Sequence, residues 1–96
     1  MDADLLPENQ SSAYKAFFDS AQSNDILEPK TTVMISIATS MAIGCYPWMD
    51  YFLGVAKKEG ITQSEIGAAL SVVMAVSAGK VRAQLREVVD PKAGKV

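Results

Sequence analysis

The chain has no histidine and only one cysteine, Cys45, among its 96 residues. Without imidazole there is no side chain that titrates near neutrality by default, and the commonest ligand for zinc, copper and iron is missing. The usual Ser-His and Cys-His nucleophile pairs are therefore excluded within this chain. One cysteine rules out an internal disulfide framework and fits a reducing compartment. No metal centre and no cofactor is expected.

An excess of basic charge is also lacking. Nine Lys and Arg face eleven Asp and Glu, for a net charge of −2. A chain of this balance presents no cationic surface, so neither nucleic acid nor an anionic membrane is expected as a partner. Asp2, Asp4 and Glu8 stand where a secretory signal would carry its basic residues, and the expected location is cytoplasmic. Between Lys30 and Asp50 charge is absent altogether. That stretch has the length of a membrane span, but Thr31, Thr32, Ser36, Thr39, Ser40, Gly44 and Pro47 interrupt it. It is expected to be a buried helix.

What the sequence does contain is helical patterning. No strand-like alternation and no internal repeat occurs, so the expected fold is all-α, a single domain over residues 1–96. Its core is expected at 27–89, with loose ends at 1–10 and 91–96. Ser11 or Ser12 is placed to cap a first helix running to about Ala21, with Ala13, Phe17 and Ala21 on one face and Tyr14 and Phe18 beside them. Glu28-Pro29 opens a second, almost wholly apolar helix that Gly44 ends. Pro47 starts a third, from about Tyr46 to Glu59, whose expected buried stripe is Met49, Phe52, Leu53 and Ala56. Thr62-Gln63-Ser64-Glu65 is a capping box opening a fourth helix through Ala78. Gly79 is expected to break or bend it, leaving a fifth, amphipathic helix over residues 80–89. That gives about five helices.

Two of these helices are apolar around most of their circumference, and the others are too short or too amphipathic to cover both. A lone protomer would expose more apolar surface than soluble monomers usually do. A homo-oligomer with the second and fourth helices at its centre is expected.

The order of these pieces carries a resemblance. Leu27, Pro29 and Lys30, Gly44 and Cys45 at a corner, Ala56, Gly60, and then Thr62, Glu65, Ile66, Ala69 and Leu70 together resemble the carboxymuconolactone decarboxylase and alkylhydroperoxidase-D-like family over residues 27–79. The resemblance implies an alkylhydroperoxidase-D-like helical domain that assembles as dimers, trimers or hexamers. Redox members of that family carry Cys-x-x-Cys-x-x-x-His at the corner and a glutamate in the preceding helix. Laid on this chain, the first cysteine is Cys45, the second falls on Trp48, the histidine on Phe52, and the glutamate on Val33 or Met34. Three of the four relay groups are thus absent. The histidine on which decarboxylase-type members lean is absent too.

The function this implies is a small homo-oligomeric protein that has lost the redox relay and binds a small apolar ligand or a partner. Tyr46, Trp48, Tyr51, Phe52 and Met34 are the candidate lining of an apolar pocket. The competing reading is a peroxide-reducing enzyme with Cys45 as its single catalytic thiol, recycled by an external thiol. The bland account of Cys45 is a small apolar residue inherited with the fold.

Overall fold

The computed structural model describes residues 5–90 and 92. The described residues form four helices: α1 (Glu8–Gln22), α2 (Pro29–Ile43), α3 (Tyr46–Lys58) and α4 (Gln63–Val89). Helix α2 is the hub, and the backbones of α1, α3 and α4 each pack against it.

Two glycines set the turns. Gly44 (φ 71°) and Gly60 (φ 73°) adopt the left-handed conformation that side chains resist. Each closes a helix by a paired hydrogen-bond motif at its C-terminus. At the first corner Cys45 N–H donates to Ser40 O (2.9 Å) and Gly44 N–H to Met41 O (3.2 Å). At the second, Ile61 N–H donates to Ala56 O (2.9 Å) and Gly60 N–H to Lys57 O (3.4 Å). Ile61 and Ala56 are both buried, so the second motif also makes the apolar contact that usually accompanies it.

The core is small: Val33, Ile37, Phe52, Ala56 and Ile61, with Phe18, Met34, Met41, Trp48, Val55 and Ile66 packed around it. A polar seam runs beside it on α2. Ser36 Oγ donates to Thr32 O (2.9 Å) and Ser40 Oγ to Ser36 O (2.7 Å), so the helix satisfies its own hydroxyls. The α1 end docks on the same seam. Gln22 Nε2 donates to Ser36 Oγ (3.1 Å) and Asn24 Nδ2 to Thr32 Oγ1 (3.2 Å), while Asn24 Oδ1 accepts from the backbone of Ile26 and Leu27 (3.1 and 2.8 Å). The linker around Asn24 is therefore a fixed turn that aims α1 back along α2.

Four expectations are corrected. The fourth and fifth helices are one continuous helix of 27 residues. Gly79 does not break it, because a glycine costs a helix interior only about 1 kcal/mol and Ala75, Ala78, Lys80, Arg82 and Ala83 around it are good helix formers. Helix α1 begins at Glu8, with Pro7 rather than Ser11 or Ser12 at its cap, so residues 8–10 are helix and not a loose lead-in. Finally, α1 docks through Phe18; Phe17 is 70% exposed. In α3 the buried residues are Phe52 and Ala56, while Met49 is half-buried and Leu53 exposed. The expected loose ends at 1–4, 91 and 93–96 lie outside the described residues.

The capping box forms as the sequence indicates. Glu65 N–H donates to Thr62 Oγ1 (3.1 Å) and Thr62 N–H to Glu65 Oε1 (2.9 Å), and Lys30 Nζ lies 2.9 Å from Glu65 Oε2. The Thr62 backbone N–H, with Lys30 second, holds the Glu65 carboxyl down from its ordinary 4.5 to about 2. Its contribution is thus complete above about pH 4.5 and lost as pH falls towards 2.

Two outcomes are expected from thermal denaturation. Phe18→Ala lowers stability by about 2 kcal/mol, whereas Phe17→Ala stays within about 0.5 kcal/mol of wild type. Glu65→Gln flattens the fall in Tm between about pH 4.5 and 2, because the titrating group is gone.

Candidate functional site

Cys45 sits at the N-cap of α3, between the left-handed Gly44 and the helix that Pro47 opens. Its position is fixed by backbone on both sides: its N–H is held by Ser40 O, and its carbonyl accepts from Met49 N–H at 3.0 Å. The side chain is half-buried and free of any disulfide. No group of three or more His, Cys, Asp or Glu side chains able to hold a metal ion occurs among the described residues.

Beyond the corner, the first two turns of α3 carry an aromatic stack. Trp48 lies face to face with Phe18 (4.9 Å between ring centres, 22°) and with Phe52 (5.3 Å, 21°). Tyr51 stands edge-on to Trp48 (5.7 Å, 80°) and to Phe52 (5.1 Å, 77°). These offset and edge-to-face arrangements match the ring quadrupoles. The spacing of Trp48 and Phe52, one helical turn apart, puts them on one face, and Phe18 from α1 covers that face.

The structure divides the five candidate pocket residues. Trp48, Tyr51 and Phe52 come together in the stack. Tyr46 stands apart at 77% exposure. Met34 lies elsewhere, on the side of α2 that faces α4. A shallow depression of about 270 Å³ is lined by Phe18, Val33, Tyr51, Phe52 and Val55, with Asp19, Gln22 and Glu59 among its polar members. Cys45 lines neither this depression nor the larger concavity described next.

That larger concavity was not anticipated. It is an open groove of about 760 Å³ between α2 and α4. Met34, Ile35, Ala38 and Ala42 form one wall; Ala69, Val72, Val73 and Val76 form the other. Glu28, Lys30 and Glu65 mark one end. The signal for it was present in the sequence, as two runs of small and apolar residues spaced three or four apart.

Helix α4 also has an unusual exposure. None of its residues is buried, and it is the one helix among the described residues long and apolar enough, by length and composition, to cross a membrane.

No curated protein and no solved structure matches the chain. The model of the Carboxymuconolactone decarboxylase family matches residues 10–90, spanning the corner, the aromatic stack and both walls of the groove. With that match covering most of its length, the all-helical chain belongs to the carboxymuconolactone decarboxylase family.

Proposed function

We propose that this chain is a non-redox, homo-oligomeric member of its family that binds a small apolar ligand beside the aromatic stack. The observation that carries the reading is the direct stacking of Trp48 on Phe52 at 5.3 Å. On the resemblance drawn from the sequence, these two positions hold the second cysteine and the histidine of the redox relay. Here they are rings packed against each other and against Phe18, with no proton to pass. The adjoining depression, at about 270 Å³, is just below the usual size of a small-molecule site, which suits a ligand of a few carbons.

A large accessible surface supports the assembly part of this reading. The accessible surface is 7740 Å², against about 5,400 Å² for a compact monomer of this mass. The radius of gyration of 17.3 Å likewise exceeds the roughly 12.5 Å of a compact chain this long. A protein neighbour accounts for this better than lipid. The uncharged run of α4, residues 66–79, spans only about 21 Å, short of the roughly 30 Å of a bilayer core. A cytoplasmic location agrees with the single free cysteine.

One observation favours the competing reading: Cys45 is half-buried rather than sealed. As a single-thiol enzyme, its thiolate would attack a peroxide oxygen, releasing alcohol or water and leaving a sulfenate for an external thiol to reduce.

Peroxide consumption with dithiol reductants separates the two. The expected result is a rate indistinguishable between wild type and Cys45→Ser. Clear Cys45-dependent turnover, together with fast labelling of the native thiol at neutral pH, overturns the non-redox reading.

A further inference from the structure

Helix α1 is only lightly attached to the rest of the chain. None of its residues is buried, and only Ser11, Phe18 and Gln22 are half-buried. Its backbone approaches α2 alone. Its ion pair, Lys15 with Asp19 (2.8 Å), is internal to the helix. Phe18 and Gln22 carry the grip on α2 and α3. The Phe18 ring lies on Trp48 (4.9 Å between ring centres) and beside Phe52 (6.5 Å), and Gln22 Nε2 donates to Ser36 Oγ (3.1 Å). Ser36 does not depend on that amide, because its hydroxyl donates to Thr32 O (2.9 Å). An element with so little buried opens at far lower cost than the folded body as a whole. Asn24 is tied to Thr32 and to the backbone of Ile26 and Leu27, which puts the hinge at about Ser23.

What Phe18 covers is a surface suited to a ring. Its plane lies at 22° to that of Trp48, and Trp48 lies at 21° to Phe52, so ring faces on α3 stand beneath it. Phe18 is also one wall of the depression of about 270 Å³. At that volume the depression is smaller than an ordinary ligand site. Withdrawal of Phe18 adds the space of its own ring and extends the hollow to Trp48. Asp19 and Gln22 leave with α1, and the charged group that stays on the rim is Glu59, whose carboxylate disfavours an anion.

We infer that α1 is a hinged cover and that Phe18 is a built-in stand-in for the ligand, a neutral flat ring of phenyl size that takes its place on Trp48. This rests on the apolar-ligand reading above and names the class of ligand and its way in. The exchange is nearly balanced: the stacking that Phe18 gives up is regained from the incoming ring, so the cost that remains is that of opening α1. Apparent affinity is then reduced by the fraction of molecules that are open. Whatever loosens α1 tightens binding. A ligand resting on the closed structure would show no such dependence. A saturated ring fills the same space but lacks the π-face that stacks on Trp48.

The test titrates the full chain with phenol, and with cyclohexanol as its saturated counterpart. Trp48 is the only tryptophan in the chain, so its emission reads the face beneath Phe18. Amide hydrogen exchange reads α1, with the amides of α2 as internal reference. Phenol is expected to shift Trp48 emission, to speed exchange across α1 but not α2, and to bind about fivefold more tightly than cyclohexanol. Gln22→Ala, which removes the bond to Ser36, is expected to bind phenol about fivefold more tightly than wild type. Simple loss of a lining side chain would act in the opposite direction. Phenol that binds without speeding exchange in α1, or with an affinity that Gln22→Ala does not raise, overturns the cover and leaves the apolar-ligand reading standing. Cyclohexanol binding as tightly as phenol overturns the aromatic class. Binding of neither compound, to wild type or to Gln22→Ala, overturns both readings.

Discussion

Burial of α2 is the interaction on which everything else in this protein depends. Ile37, at the middle of that helix, is the one large side chain wholly withdrawn from water among the described residues. Around it α2 offers a different surface to each neighbour. Val33 and Ile37 meet α3, the hydroxyl seam of Thr32 and Ser36 meets the end of α1, and Met34 and Ala38 face α4. A charged residue on any of these faces would meet a packed neighbour, which explains why they are uncharged; the exposed Ile35 and Ile43 are apolar without that reason. The same requirement explains the self-bonded serines: a polar seam inside a packed helix persists only if it is satisfied locally.

The corner that the sequence singled out is built by this packing. Gly44 turns the chain within two residues, and Pro47 sets the next helix going, so α3 has no freedom but to fold back on α2. Its first turns then bring Trp48 and Phe52 under Phe18. A stack of three rings is a hydrophobic and geometric device, and it holds the corner rigid without any titratable group. In this family member the corner is braced by aromatic packing.

Much of this was legible from residue types. The glycine stops at 44 and 60, the proline starts at 29 and 47 and the capping box at 62–65 are local signals, and local signals decide helix ends. Less legible was whatever depended on which neighbour arrived. Phe17 and Phe18 are adjacent, and periodicity alone does not say which one the turn at Asn24 will point inward. Gly79 looked like a break because glycine ends helices when it turns left-handed, yet nothing after it demands that turn. Trp48, Tyr51 and Phe52 lie within one helical turn and meet in the stack, whereas Met34 faces α4 and Tyr46 is exposed, placements that depend on neighbours and not on spacing. The groove is not legible locally because it belongs to two helices that are separated by all of α3.

The short connections have a kinetic consequence. Only the two residues Gly44 and Cys45 separate α2 from α3, and α3 reaches α4 across residues 59–62. Native pairings made over such small sequence distances close at little entropic cost, so this chain belongs among the rapid folders, with microsecond-to-millisecond collapse of its core. Encounter between molecules at cellular concentration is far slower. Each newly made chain therefore completes its hairpin of α2 and α3 from its own contacts, before any encounter with another molecule.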